Sequence, residues 1–269
     1  MSLYTIGDLH LHFLAPLKAQ NQLKDRVWKN HEKKFEKYCR ALIREDDTLL
    51  LAGDHSWGRT LQEAMPDLKY ISELPGRKIL LRGNHDMFWD AAKTDQLNER
   101  FSASPGSTEA DSPGTAAWQD ADLASPLYFL QNNYYPYEDY ALVGTKGFTF
   151  EGPFYLNRSG RIIGWDEEKE THARKLIERE LGRLRISFEK ARADGYRKFI
   201  MFLHYPPTDI LEEESVFTRM AEEVGAEQVI YAHSHGESRF HDSILGEMNG
   251  VRYQLVSGDF LKWHPYQVL

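Results

Sequence analysis

Along the chain of 269 residues, short apolar runs alternate with longer stretches in which apolar residues recur every three or four positions. The runs are Leu3–Ile6, Thr48–Ala52, Lys78–Leu81, Leu127–Leu130, Ala141–Val143, Phe199–Leu203, Gln228–Tyr231 and Val251–Val256. Their length and their β-branched or aromatic content predict strands. Helical spacing is clearest from Trp28 to Ile43, with apolar residues at Trp28, Phe35, Tyr38, Cys39 and Leu42. It returns from Glu167 to Ala191, at Ala173, Ile177, Leu181, Leu184, Phe188 and Ala191, where Glu, Lys and Arg fill the other face and are expected to be solvated. Shorter helices are predicted over Arg59–Leu74, bent or restarted at Pro66, and over Ser215–Val224. Alternation of this kind predicts the α/β class.

One stretch departs from the pattern. Ser102–Ser125 is rich in Ser, Pro, Gly, Ala and Asp and has no apolar period. It is too long for an ordinary connection and reads as an insertion, an inert loop ahead of a lid, within a single domain spanning residues 1–269. Composition narrows the function classes. With 33 basic and 41 acidic side chains the formal charge is −8, which disfavours a binder of long nucleic acids and a basic membrane-surface helix. No apolar run reaches the roughly 18 residues of a membrane span, and no export signal opens the chain. The one cysteine, Cys39, excludes an intramolecular disulfide and reads as a small buried hydrophobe. These features lead us to expect a cytoplasmic protein.

The chemistry lies where the apolar runs stop. Tyr4-Thr-Ile6 runs into Gly7-Asp8-Leu9-His10, Leu49-Leu-Leu-Ala52 into Gly53-Asp54-His55, and Ile79-Leu-Leu81 through Arg82 into Gly83-Asn84-His85-Asp86. Phe199–Leu203 runs into His204-Tyr205-Pro206-Pro207, and Val229–Ala232 into His233-Ser234-His235. In open α/β sheets, ligands bind beyond the carboxyl ends of the strands. Asp8 and His10, and likewise His233 and His235, stand two apart at a strand end, so strand alternation predicts that each pair points one way. Glycine before the first polar residue permits a sharp turn and close backbone approach. The donors are carboxylate, amide oxygen and imidazole without thiolate, a mixture suited to manganese, iron, zinc or related ions. Seven candidate ligands are too many for one tetrahedral ion and suit two, with Asp54 the natural bridge. Two divalent ions, two aspartates and a bridging hydroxide leave one positive charge, which attracts and polarises a phosphate.

The series Asp8-x-His10, Gly53-Asp54, Gly83-Asn84-His85-Asp86, His204 and His233-x-His235 resembles the calcineurin-like metallophosphoesterases, in order and over nearly the whole chain. Gly53-Asp54-His55-Ser56-Trp57, Leu74–Ile79, Phe129–Asn133, Gly144–Phe148 and Leu203–Pro207 further resemble a branch of bacterial predicted phosphohydrolases. The resemblance implies a four-layer α/β/β/α sandwich with two central mixed sheets. It implies that Asp8, His10 and His235 hold one metal, that Asn84, His204 and His233 hold a second, and that Asp54 bridges. The ions implied are two divalent transition metals, manganese first, with iron, zinc, nickel or cobalt as alternatives. His85 matches the histidine beside the leaving group, and Asp86 is expected to orient its imidazole. Arg82 and Lys146 are weaker candidates for substrate contact. Ala232 replaces the family's usual glycine and, being small, is expected to preserve the ligand geometry. Lys146 and Phe148 stand where that branch often has Arg and Trp.

The activity implied is hydrolysis of a phosphomonoester or phosphodiester by a metal-bridging hydroxide, with a small phosphorylated substrate. A catalytically silent binding scaffold and a nuclease of the same family are the rivals. His12, His31, His172, His241 and His264 match no ligand position and read as structural or surface residues. His55 is turned away from the metals by strand alternation, and Phe88-Trp89 reads as packing.

Overall fold

A computed structural model of the chain describes residues 1–14, 26–102, 122–148, 155–156, 162–163, 167–209, 211 and 213–269. Of the expected insertion Ser102–Ser125, residues 103–121 lie outside the described residues. The chain forms two compact units, Met1–Phe129 with Leu261–Leu269, and Leu130–Phe260.

The first unit is built on β1 (Leu3–Ile6), α1 (His31–Leu42), β2 (Thr48–Leu51), α2 (Leu61–Ser72), β3 (Arg77–Leu81), α3 (Thr94–Phe101) and β4 (Leu127–Leu130), closed by β13 (Tyr266–Gln267). Its sheet runs β13-β1-β2-β3-β4. β1, β2 and β3 are mutually parallel, with Ile6 opposite Leu51 and Leu51 opposite Leu80, and β13 is antiparallel to β1. Parallel neighbours need a crossover, which α1 and α2 supply. Every residue of β1 and β2 is buried, as parallel strands covered on both faces require. α1 buries Phe35 and Cys39 one turn apart. α2 starts at Thr60, whose hydroxyl accepts from the Glu63 N–H at 3.2 Å, and it runs through Pro66 unbroken rather than restarting there. The core gathers Ile6, Phe35, Leu49, Leu68, Trp89, Phe129 and Trp263.

The second unit contains β5 (Tyr134–Tyr137), β6 (Tyr140–Thr145), β7 (Tyr155–Leu156), β8 (Ile162–Ile163), α4 (Glu167–Ala193), β9 (Lys198–Leu203), α5 (Val216–Val224), β10 (Ala226–Tyr231), β11 (Gly246–Met248) and β12 (Val251–Leu255). Its main sheet runs β11-β12-β10-β9-β6-β5, with β6, β9, β10 and β12 parallel and antiparallel strands at both edges. β7 and β8 form a separate antiparallel pair. The core packs Leu184 and Phe188 of α4 and Phe217 of α5 with Phe199, Met201 and Val229 of the sheet. The charged face of α4 is not wholly solvated. Glu180 is buried, accepting from the Thr145 hydroxyl at 2.5 Å and from Arg183 at 2.6 Å. Both units thus carry the α/β architecture with two mixed sheets that the sequence predicts.

Candidate metal centre

In each unit the candidate ligands follow the carboxyl ends of parallel strands. Asp8 and His10 follow β1, Asp54 follows β2, and Asn84 and His85 follow β3. In the other unit His204 follows β9, and His233 and His235 follow β10.

The two loops after β1 and β2 stay paired beyond the sheet. Asp8 N–H donates to Gly53 O at 2.9 Å, His10 N–H to Asp54 O at 2.8 Å and Leu11 N–H to His55 O at 2.9 Å. Pairing persists, but the strand pleat does not. Asp8, His10 and Asp54 have φ of 61°, 43° and 54°. Alternation along a strand is therefore not what aims Asp8 and His10. The left-handed turns do, and they bring one ligand atom of each within 4.8 Å of the other. The carboxylates of Asp8 and Asp54 are buried, and His10 Nε2 lies 3.6 Å from Asp54 Oδ2. The other Asp54 oxygen accepts from His85 N–H at 2.7 Å. Gly83 is required here, since a Cβ at that position would lie 2.2 Å from Asp54 N.

Asp86 does something other than orient His85. Its carboxylate accepts four backbone N–H groups, from Gly83 at 2.7 Å, Asp54 at 2.9 Å, His55 at 2.8 Å and Ser56 at 3.3 Å. It clamps the loop that presents Asp54. The His85 ring instead faces His10, at 5.3 Å between centroids, and Trp57 at 4.4 Å, and Trp57 stacks on His10 at 5.0 Å. His55 points into the core, its Nε2 2.8 Å from Leu81 O. The Ser56 hydroxyl donates to Asp67, a carboxyl of α2 that burial pushes above the usual range and that also accepts from Phe13 N–H at 3.0 Å. Arg82 Nε donates to Trp89 O at 2.5 Å. Trp89 is a packing residue, fully buried and edge-on to Phe129.

In the second unit, His204 and Tyr205 donate their N–H groups to Lys146 O at 3.2 and 2.9 Å, which ties the end of β9 to the end of β6. His233 has φ of 70° and sits at the centre of a tight turn closed by Ser234 N–H to Ala232 O at 2.9 Å. His204 and His233 bring a ligand atom of each within 4.8 Å, and Tyr205 packs against the His233 ring at 4.3 Å. As with Asp8 and His10, the left-handed turn and not strand alternation sets the His233–His235 pair. His235 Nδ1 lies 3.2 Å from Asp259 Oδ1, and Asp259 Oδ2 accepts from Gly236 N–H at 2.8 Å. A carboxylate on Nδ1 fixes the orientation of the ring. Asp259 escaped the sequence reading, although it follows β12 as the other clusters follow their strands. Lys146 Nζ lies 5.5 Å from the Tyr205 ring and 5.9 Å from that of Phe148.

The donor set fits a metal. It combines buried carboxylates with imidazoles, and a buried carboxylate is stable when it is paired or coordinates an ion. A sequence profile of the calcineurin-like phosphoesterases matches residues 1–237. The chain belongs to that family. Among individual relatives, Gene 66 protein of Mycobacterium phage L5 is 37% identical over 80 residues, a match covering 30% of this chain and 37% of that protein. The chain is also similar to solved structures at low identity. AQ665 of Aquifex aeolicus, a protein of unknown function, shares 15% identity with a TM-score of 0.47, over 99% of this chain and 95% of that one. Phosphopantetheinyl hydrolase PptH of Mycobacterium tuberculosis shares 13%, with a TM-score of 0.46, over 100% and 95%. Among the described residues, no helix is long and apolar enough to cross a membrane.

Proposed function

We propose that the chain is a dinuclear metal-dependent phosphoesterase acting on a small phosphorylated substrate, a monoester or a diester. Asp8, His10 and His235 would hold one ion, Asn84, His204 and His233 the other, and Asp54 would serve both. The observation that carries this reading is the pair of buried carboxylates, Asp8 and Asp54, set beside imidazoles on adjacent strand ends. Two divalent ions held there supply a nucleophile at neutral pH and neutralise charge on the phosphate. Asp54 offers one oxygen on the His10 side while the His85 N–H holds the other. The His85 ring, packed against both Trp57 and His10, would give a proton to the departing oxygen.

The test compares hydrolysis of para-nitrophenyl phosphate and its bis-ester by manganese-loaded protein, with Asp54→Asn as control. Removing even an outer partner of a metal costs about 10–100-fold, so loss of a shared ligand should cost at least on the order of a hundredfold. His85→Ala should lower turnover by about 10²–10⁴-fold with metal retained. Undiminished metal-dependent turnover in Asp54→Asn would sink the proposal. Preference for one ester over the other identifies the substrate class.

A further inference from the structure

We propose that His31, which the sequence marks as merely structural, is a positioning residue that grips the carbonyl of Leu9 and so aims Asp8 and His10. His31 opens α1 but is only 2% exposed. Its Nε2 lies 2.7 Å from Leu9 O, while Nδ1 lies 3.0 Å from Trp28 O and 3.5 Å from the Glu32 carboxylate. All three neighbours are acceptors. Burial pulls the ring below the usual histidine value and the acceptors pull it back. The imidazolium donates to Leu9 and Trp28 together, and a neutral ring grips Leu9 in its Nε2–H tautomer.

Leu9 stands between two residues in left-handed backbone, Asp8 and His10. Such residues persist only where the surroundings over-determine them. On one side the loop after β2 holds the N–H groups of Asp8 and His10. The intervening Leu9 carbonyl is taken by His31. The His31 ring cannot drift, because it packs 5.3 Å from Trp28 and 4.7 Å from Trp263. Trp263 in turn donates its indole N–H to Val27 O at 2.8 Å. Trp28 also meets the His10 ring edge-on at 5.8 Å, so the wedge that fixes His31 touches the ligand ring itself.

The inference rests on reading Asp8 and His10 as metal ligands, and the experiment separates the two. Full-length protein is stripped of metal and titrated calorimetrically with Mn²⁺, and the melting temperature of the metal-free form is recorded alongside. His31→Phe keeps the ring volume and loses the donor, whereas His31→Gln keeps an N–H within reach of Leu9. His31→Phe should bind Mn²⁺ about 10–100-fold more weakly, and His31→Gln should recover most of that affinity. If His31→Phe does not fold, His31→Asn, which keeps the amide but not the reach, takes its place. Wild-type affinity in His31→Phe overturns the positioning role and leaves the ligand reading intact. So does equal weakening of Phe and Gln variants in step with their lost melting temperature. Wild-type protein that binds no Mn²⁺ overturns both.

Discussion

Replacing Asp86 by asparagine separates two roles for this carboxylate. Its Oδ2 accepts from Gly83 and Asp54, and its Oδ1 from His55 and Ser56. Asparagine retains one oxygen and turns an NH₂ group toward the other two donors. Two buried N–H groups then lose their acceptor, at about 1–3 kcal/mol each, and they also face a donor. The expected loss is about 4 kcal/mol, a large share of the 5–15 kcal/mol that stabilises an ordinary protein. The assay is urea unfolding of the metal-free protein, followed by circular dichroism, with Mn²⁺ affinity measured on the same samples. Both should fall, because the clamped loop presents Asp54. If Asp86 instead served the His85 imidazole, the variant would unfold at the wild-type midpoint, bind Mn²⁺ normally and lose only turnover. A stability change under about 1 kcal/mol with normal metal binding would refute the clamp.

Four further outcomes follow from buried groups and caps. Lys78 is 2% exposed, with Nζ on Leu74 O at 2.7 Å, and burial lowers its pKa to about 8, partly opposed by Glu45. The unfolded chain therefore holds more protons than the native one between that value and the ordinary 10.5, so stability should rise as pH climbs through this window, and a flat urea midpoint would refute the shift. At pH 7 the cost is present in full, about 3 kcal/mol, and Lys78→Met should remove it, less about 1 kcal/mol for the lost hydrogen bond. Burial pushes the Cys39 thiol up, so a thiol reagent should label it only on unfolding, and rapid labelling of native protein would contradict its place in the core. Ser215 caps α5, accepting from Phe217 and Thr218 N–H at 3.1 and 3.2 Å and donating to Pro207 O at 2.6 Å. Ser215→Ala should cost about 1–2 kcal/mol by thermal unfolding, and a shift within error would show that the cap contributes nothing.

What the sequence made legible followed periodicity. All eight predicted strands are present: β1 and β2, buried on both faces, are uninterrupted apolar runs, whereas β12 shows itself by alternation, with Arg252 exposed between Val251 and Tyr253. β5 was hidden by Pro136, which breaks the strand signature but fits an edge position, where one row of hydrogen bonds faces no neighbour. α3 was hidden by its length, since eight residues with Leu97 and Phe101 as the main apolar positions give too short a pattern to stand out. The candidate ligand positions stand out in the sequence because each follows a strand. Their conformation was not, since nothing in Asp8, His10 or His233 announces a positive φ. The partners of the site were the least legible. His31 reaches Leu9 across 22 positions and Asp259 meets His235 across 24, and neither distance leaves a local pattern.

The conformation of the ligand residues explains why those partners exist. Asp8, His10, Asp54 and His233 all adopt a backbone that glycine adopts freely and that other residues enter at a cost of about 1–3 kcal/mol each. Glycine cannot take these positions, because the carboxylate or imidazole is what the site needs. The turn must therefore be enforced from outside the residue that makes it. In the first unit that enforcement comes from backbone pairing between neighbouring loops, from the Asp86 carboxylate beneath Asp54, and from the bare Cα of Gly83, which lets the two loops approach. In the second it comes from the Ser234 N–H to Ala232 O bond that closes the turn at His233 and from the His204 carbonyl, which accepts from Ala232 N–H. Buried polar groups that would be liabilities elsewhere in the core serve here as acceptors for strained turns. The donors are held in place by the fold, so binding an ion need not also meet the cost of ordering them.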